Sequence, residues 1–311
     1  MRGRRLAALL LALTLMLSGC RPLVADAPKH LNFYATFYPL YALTDALMAD
    51  IPDATLHCLV QPQDGCLRSY QLSDWDLRLL ASGADAVILG GRGLESFEST
   101  LTGWGDSGPA VSAVLYNLEL YNASATHAKS EQDSHLEGAN PHLYMSVEGA
   151  KRILSAISAS LMVLDQKYAD RYAENEAAAL EKLDALTTQI QAVAASITDK
   201  RVILMNETLI YVVQDYGLEV AAWIDRESGT AYYGTELDDC LKQLEGCGAK
   251  VVLIERQAPA SLTRALEAAG YAVAKLDILS THREGEGFDT YIDAQEANAA
   301  AIECAFREAG A

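Results

Sequence analysis

The chain has six cysteines but no Cys-x-x-Cys pair, so neither a thioredoxin-like redox site nor a zinc ribbon is supported. It also lacks Gly-x-Ser-x-Gly, His-Glu-x-x-His, a phosphate-binding loop and a Gly-x-Gly-x-x-Gly opening a βα unit, and with them the common enzyme signatures. Asp74 and Asp76 are near one another, but alternate carboxylates at a helix start are simply partners of the helix dipole. Basic residues are scarce: 24 Lys and Arg face 42 Asp and Glu, a net charge of -18. Such acidity repels nucleic-acid phosphates and mildly favours cationic ligands. Beyond the first twenty residues no apolar run is long enough to span a bilayer, which takes roughly 20 residues. No short-period repeat is present.

What is present begins at the front end. Arg2, Arg4 and Arg5 precede an apolar run from Leu6 to Leu17, and Leu17-Ser18-Gly19-Cys20 follows. A basic start, a short apolar stretch and a small-residue cleavage site make an export signal rather than a spanning helix. The ending resembles the lipobox of bacterial lipoproteins, which implies that Cys20 is acylated and becomes the new N-terminus, anchored by its acyl chains. The expected location is extracytoplasmic, tied to the cell membrane. About 290 residues remain after the signal, enough for one large domain or two lobes.

Leu31–Thr36, Thr55–Val60 and Ala86–Leu89 read as strands, with helical patterns at Pro39–Met48 and Ser73–Ala81, where Ser73 is suited to cap. Residues 122–138 are polar and aperiodic, a surface loop. Residues 147–198 form one helical region with no proline and a single glycine near its start, too long for an ordinary helix and without a sustained heptad. The alternation then restarts: strands at Val202–Met205, Val251–Ile254 and Ala272–Ala274, helices at Leu209–Tyr216, Glu236–Leu244 and Ala260–Ala269. Alternating strands and helices imply parallel sheets. The expected fold class is α/β, two βα-type lobes joined by one long helix with the ligand site at their interface. Its parts are a signal at 1–20, a tether at 21–30, lobes at 31–146 and 199–311, and a linking helix at 147–198. Export permits disulfides, and the Cys58/Cys66 and Cys240/Cys247 spacings could each close a small loop; reduced, they are small buried hydrophobes, and Cys304 belongs to a core helix.

Several strings, in this order, resemble the metal-binding class of substrate-binding lipoproteins of ABC transporters, the zinc and manganese group. They are Phe37-Tyr38-Pro39-Leu40-Tyr41, Gly93-Leu94-Glu95, Asn140-Pro141-His142-Leu143-Tyr144, Asp215-Tyr216-Gly217-Leu218 and Leu276-Asp277. The resemblance covers essentially the whole mature chain. It implies capture of a divalent ion between the lobes, zinc first and manganese second, and delivery to an ABC permease and its ATPase by a monomer. It implies that His142 is a ligand and Asp277 the late carboxylate; imidazole and carboxylate suit both ions.

Two positions depart from the family pattern. Arg68 stands where the first-loop histidine is expected, and a guanidinium cannot ligate a metal while protonated. Asn206 stands where histidine or glutamate is expected, and its carbonyl suits harder cations. Cys66 as a thiolate, or Glu207 through a small backbone shift, could complete the set. Arg68 either pairs with Asp277 or Glu207 and fills the site, or binds the carboxylate or phosphate of another ligand as a bidentate fork. Two alternatives therefore stand beside metal transport: a small anionic or zwitterionic solute held by Arg68, or a surface adhesin on the same scaffold. His127 and His135 lie in the polar loop, where zinc-type relatives often carry histidines, while His30, His57 and His282 show no partner pattern.

Overall fold

The computed structural model describes residues 29–62, 67, 70–121, 139–224, 232 and 234–310. Among the described residues eight strands form two four-stranded sheets, all pairings parallel. The first holds β1 (Leu31–Ala35), β2 (Ala54–Cys58), β3 (Ala86–Leu89) and β4 (Ala110–Ala113) in the order β2-β1-β3-β4. The second holds β5 (Arg201–Leu204), β6 (Glu219–Trp223), β7 (Val251–Glu255) and β8 (Ala272–Leu276) in the order β6-β5-β7-β8. In each sheet the chain steps to one side of its first strand and then to the other. The crevice beyond the strand ends at that reversal is where α/β sheets bind ligands.

The central strands β3 and β7 are buried on both faces, as expected where helices cover both sides. Ala86–Leu89 and Val251–Ile254 are almost wholly inaccessible, and Glu255 continues the second run fully buried. The helices are α1 (Tyr38–Asp45), α2 (Asp74–Gly83), α3 (Glu98–Thr102), α4 (Val147–Leu164), α5 (Ala169–Ser196), α6 (Ile210–Asp215), α7 (Thr235–Leu244), α8 (Ala260–Ala268) and α9 (Phe288–Ala309). Ser73 caps α2 in a reciprocal capping box with Asp76. β4 and β6, short and partly exposed, were not legible as strands in the sequence.

The long helical region divides. Asp165 leaves helical geometry (φ -126°, ψ 68°) and accepts a hydrogen bond from the Tyr172 hydroxyl at 3.1 Å, so the chain turns through residues 165–168. Lys151 then meets Asp184 at 2.6 Å, and the Thr187 hydroxyl donates to Glu148 at 3.0 Å, the signature of an antiparallel pair. The 28-residue α5 is the long helix that carries the chain into the second lobe. Its buried Tyr172, Ala179, Leu183, Leu186 and Ile190 make one stripe at helical spacing.

One continuous apolar core runs from Phe33 and Leu43 through Ile157 and Leu183 to Leu253 and Tyr291, so both lobes share it. Ile157 is fully buried there, and Ile157→Ala is expected to cost about 2–5 kcal/mol through the cavity it leaves. Urea denaturation checks this; two separate transitions would mean that the lobes do not stabilise one another.

Candidate metal centre

Asn140 organises the first candidate ligand. Its side-chain amide donates to the Glu207 carbonyl at 3.0 Å, which turns Oδ1 toward His142. That oxygen accepts from the His142 backbone N–H and sits 2.9 Å from Nδ1. An acceptor at Nδ1 places the proton there and leaves the lone pair on Nε2, the arrangement by which a second partner fixes a ligating imidazole. The Tyr211 hydroxyl donates to the Asn140 carbonyl at 2.6 Å and receives the Tyr121 N–H at 2.9 Å, tying the segment to the second lobe.

Asp277 follows β8 and is 1% exposed. Oδ1 accepts the Leu279 N–H at 2.8 Å, while Oδ2 receives Arg256 at 2.5 Å and lies 2.8 Å from His282 Nε2. Burial pushes its carboxyl up, but hydrogen bonds from His282 and Leu279 and the charges of His282 and Arg256 outweigh burial and hold it below the usual carboxylate range. His282 is raised, chiefly by its hydrogen bond to Asp277, against burial and with help from Glu286 at Nδ1. Asn298 on α9 pins the Asp277 backbone in both directions, accepting its N–H at 2.7 Å and donating to its carbonyl at 2.9 Å.

The loop after Asp277 reaches the first lobe. Glu284 accepts the Cys58 N–H at 3.1 Å, Gly285 donates to the Tyr41 hydroxyl at 3.0 Å, and Phe288 donates to Asp45 at 3.0 Å. The Tyr38 ring stacks on His282 with centroids 4.8 Å apart. His142, through Tyr144 and Phe37, approaches the same start of α1, with ring separations of 5.9 and 5.2 Å.

The other expected ligands are spoken for differently. Asn206 uses its carbonyl oxygen to accept the Thr208 N–H at 2.9 Å, and its amide lies 3.4 Å from buried Glu255. Glu207 is half-buried and offers its backbone carbonyl to Asn140. Cys20, Cys66, Arg68, His127 and His135 lie outside the described residues. Among the described residues no three His, Cys, Asp or Glu side chains group to hold a metal ion. The cation on Asp277 is Arg256, a residue that sequence reasoning passed over, as it did His282.

The cysteines do not form the second small loop. Cys247 carries a free thiol, so no Cys240/Cys247 disulfide closes, and Cys240 is buried in α7. The Cys58 thiol donates to the Val60 carbonyl, and burial pushes it up to about 12, which leaves it inert. Cys304 is half-buried and faces Glu308 rather than sitting in the core.

A family model described as the periplasmic component A of a zinc-uptake complex matches residues 34–305. The chain belongs to that family. It is a family of transport components, not of enzymes, and its description places it outside the cytoplasm. Among the described residues no helix is long and apolar enough to cross a membrane. The high-affinity zinc uptake system protein ZnuA of Brucella abortus (strain 2308) is 26% identical over 116 residues. That stretch is 37% of this chain and 35% of that protein, so the match spans about a third of the length of the curated relatives. FpvC from Pseudomonas aeruginosa in complex with Mn2+ has TM-score 0.74 at 21% identity, covering 91% of this chain and 100% of that one. The Zn(II)-bound ZnuA-like domain of Streptococcus pneumoniae AdcA has TM-score 0.74 at 20% identity, covering 89% and 99%. These likenesses establish the fold: two parallel α/β lobes joined by a long helix.

Proposed function

We propose that the chain captures a divalent metal ion outside the cytoplasm, zinc first and manganese second, and delivers it to the permease and ATPase of an ABC importer. The observation that carries this reading is Asp277, a nearly inaccessible carboxylate at the end of a parallel strand, ion-paired with Arg256 and hydrogen-bonded to His282. A buried carboxylate that stays ionised needs a cationic partner, and a divalent ion can take the place Arg256 holds. The family and the zinc and manganese in similar structures support the choice of ions. His142 supplies Nε2 and Asp277 a carboxylate oxygen, with Asn206, Glu207 or Cys66 completing the set. Acylated Cys20 anchors the monomer to the membrane.

A second reading has one observation in its favour: Arg256 already neutralises Asp277. On it, the metal site is closed and Arg68 engages a small anionic or zwitterionic solute.

Elemental analysis of protein purified without added metal, then zinc and manganese titration of the stripped form, separates the two. One ion per chain is expected, with affinity at least 10-fold weaker in His142→Ala. No stoichiometric ion and no binding at micromolar metal would overturn the metal reading.

A further inference from the structure

Arg256 and His282 converge on one oxygen of Asp277 from different elements, Arg256 from the end of β7 and His282 from the loop after β8. His282 Nδ1 lies 2.8 Å from a Glu286 oxygen, and Tyr38 stacks on the ring face, so the imidazole is held edge-on with Nε2 toward Asp277. Carboxylate–imidazole support behind a ring nitrogen is how proteins aim a ligating histidine. Two tetrahedral ligands each about 2.0–2.1 Å from an ion lie roughly 3.3 Å from one another. The 2.8 Å separation of Nε2 and Oδ2 needs to open by about 0.5 Å to admit one. Arg256, in contrast, has a side chain 52% exposed and can swing into water without disturbing the buried carboxylate.

We propose that His282 is a metal ligand paired with Asp277, that the incoming ion replaces the Nε2 proton, which leaves to solvent, and that Arg256 is a tethered cation which the same ion must displace. This rests on the metal-capture reading. Arg256 would then set the threshold for loading, since every ion bound at Asp277 breaks one ion pair. His282 also couples loading to the first lobe, because its ring rests on Tyr38 of α1. One of the two departed positions, Arg68 or Asn206, is thereby compensated from a loop.

The test is zinc titration of the metal-stripped full-length chain, purified in detergent, comparing wild type with Arg256→Ala, Arg256→Gln, His282→Gln and Arg256→Ala/Asp277→Asn. X-ray absorption would count imidazole ligands on the bound ion, and circular dichroism would confirm folding. The expected results are at least 10-fold tighter zinc in both Arg256 variants, abolished by the added Asp277→Asn. His282→Gln should bind at least 10-fold more weakly, with one imidazole fewer on the zinc that remains. Unchanged or weaker zinc in the Arg256 variants, or an unchanged imidazole count in His282→Gln, overturns the proposal. If wild type binds zinc through His142 but ignores both substitutions, metal capture stands and this inference fails. If only the Arg256 variants bind, Arg256 closes the site instead of yielding to the ion, and both wild-type capture and its displacement are overturned. No binding in any form overturns both.

Discussion

Asp277→Asn is expected to weaken zinc binding at least 100-fold and to cost about 3 kcal/mol of stability in the metal-free protein. The first effect follows because the substitution removes the one anionic ligand that the described site holds ready. An amide oxygen retains the bond from the Leu279 N–H, but the amide nitrogen then faces His282 or Arg256, donor against donor. Arg256 can turn to solvent, whereas His282, 15% exposed at its side chain, cannot do so freely. Calorimetric titration reads the affinity and urea denaturation the stability. A variant that loses stability but keeps full zinc affinity would remove Asp277 from the ligand set.

The strings that carried the family resemblance turn out to be fasteners for the fold. Glu95, from the Gly93-Leu94-Glu95 string, is buried and accepts the Thr36 hydroxyl at 2.6 Å and the Gly90 and Gly91 N–H groups at 2.8 and 2.9 Å. Burial pushes its carboxyl up against those three donors. It thereby clasps the ends of β1 and β3, the reversal point of the first sheet. Asn140 does the corresponding work between lobes. Such residues fix strand ends and lobe contacts, and for that reason the architecture was legible from the strings that hold them.

Arg256 and His282 escaped notice for a physical reason. β7 and β8 pair in parallel with Glu255 opposite Leu276, so the next residues on the two strands, Arg256 and Asp277, become neighbours. The same reasoning sets Asn206 near Glu255, since Leu204 lies opposite Leu253. Both follow from strand order and register, which hydrophobic patterns along a single strand do not contain. His282 depends on a tight turn at Leu279, whose φ of +64° sends the loop back over Asp277. A carboxylate, a histidine five residues on and a glutamate four beyond was the only sequence signal, and it is a weak one. The break at Asp165 was equally hidden, because neither proline nor glycine marks it.

Asp215, from another of those strings, supplies the second large expected effect. Its carboxylate accepts the Ser146 hydroxyl at 2.6 Å and the Val147 N–H at 2.7 Å, capping the start of α4 from the second lobe. Burial nonetheless pushes its pKa to about 6, with those two hydrogen bonds opposing. A carboxyl in the unfolded chain titrates near 3.9, so between about pH 4 and pH 6 the folded form binds the extra proton. Stability therefore falls as pH rises through that window, by about 3 kcal/mol for this group, with the penalty fully present at pH 7. Asp215→Asn cannot ionise and should not show it. The stability difference between wild type and variant, measured by urea denaturation at pH 4 and at pH 7, is expected to move about 2 kcal/mol in the variant's favour, since the unfolded carboxyl is already half ionised at pH 4. Taking the difference cancels Glu95 and every other shared titration, as well as the fixed cost of replacing an oxygen by an amide nitrogen. A difference that does not change with pH would mean that the cap carries its charge without penalty, the helix N-terminus and the Ser146 hydroxyl having offset the loss of water.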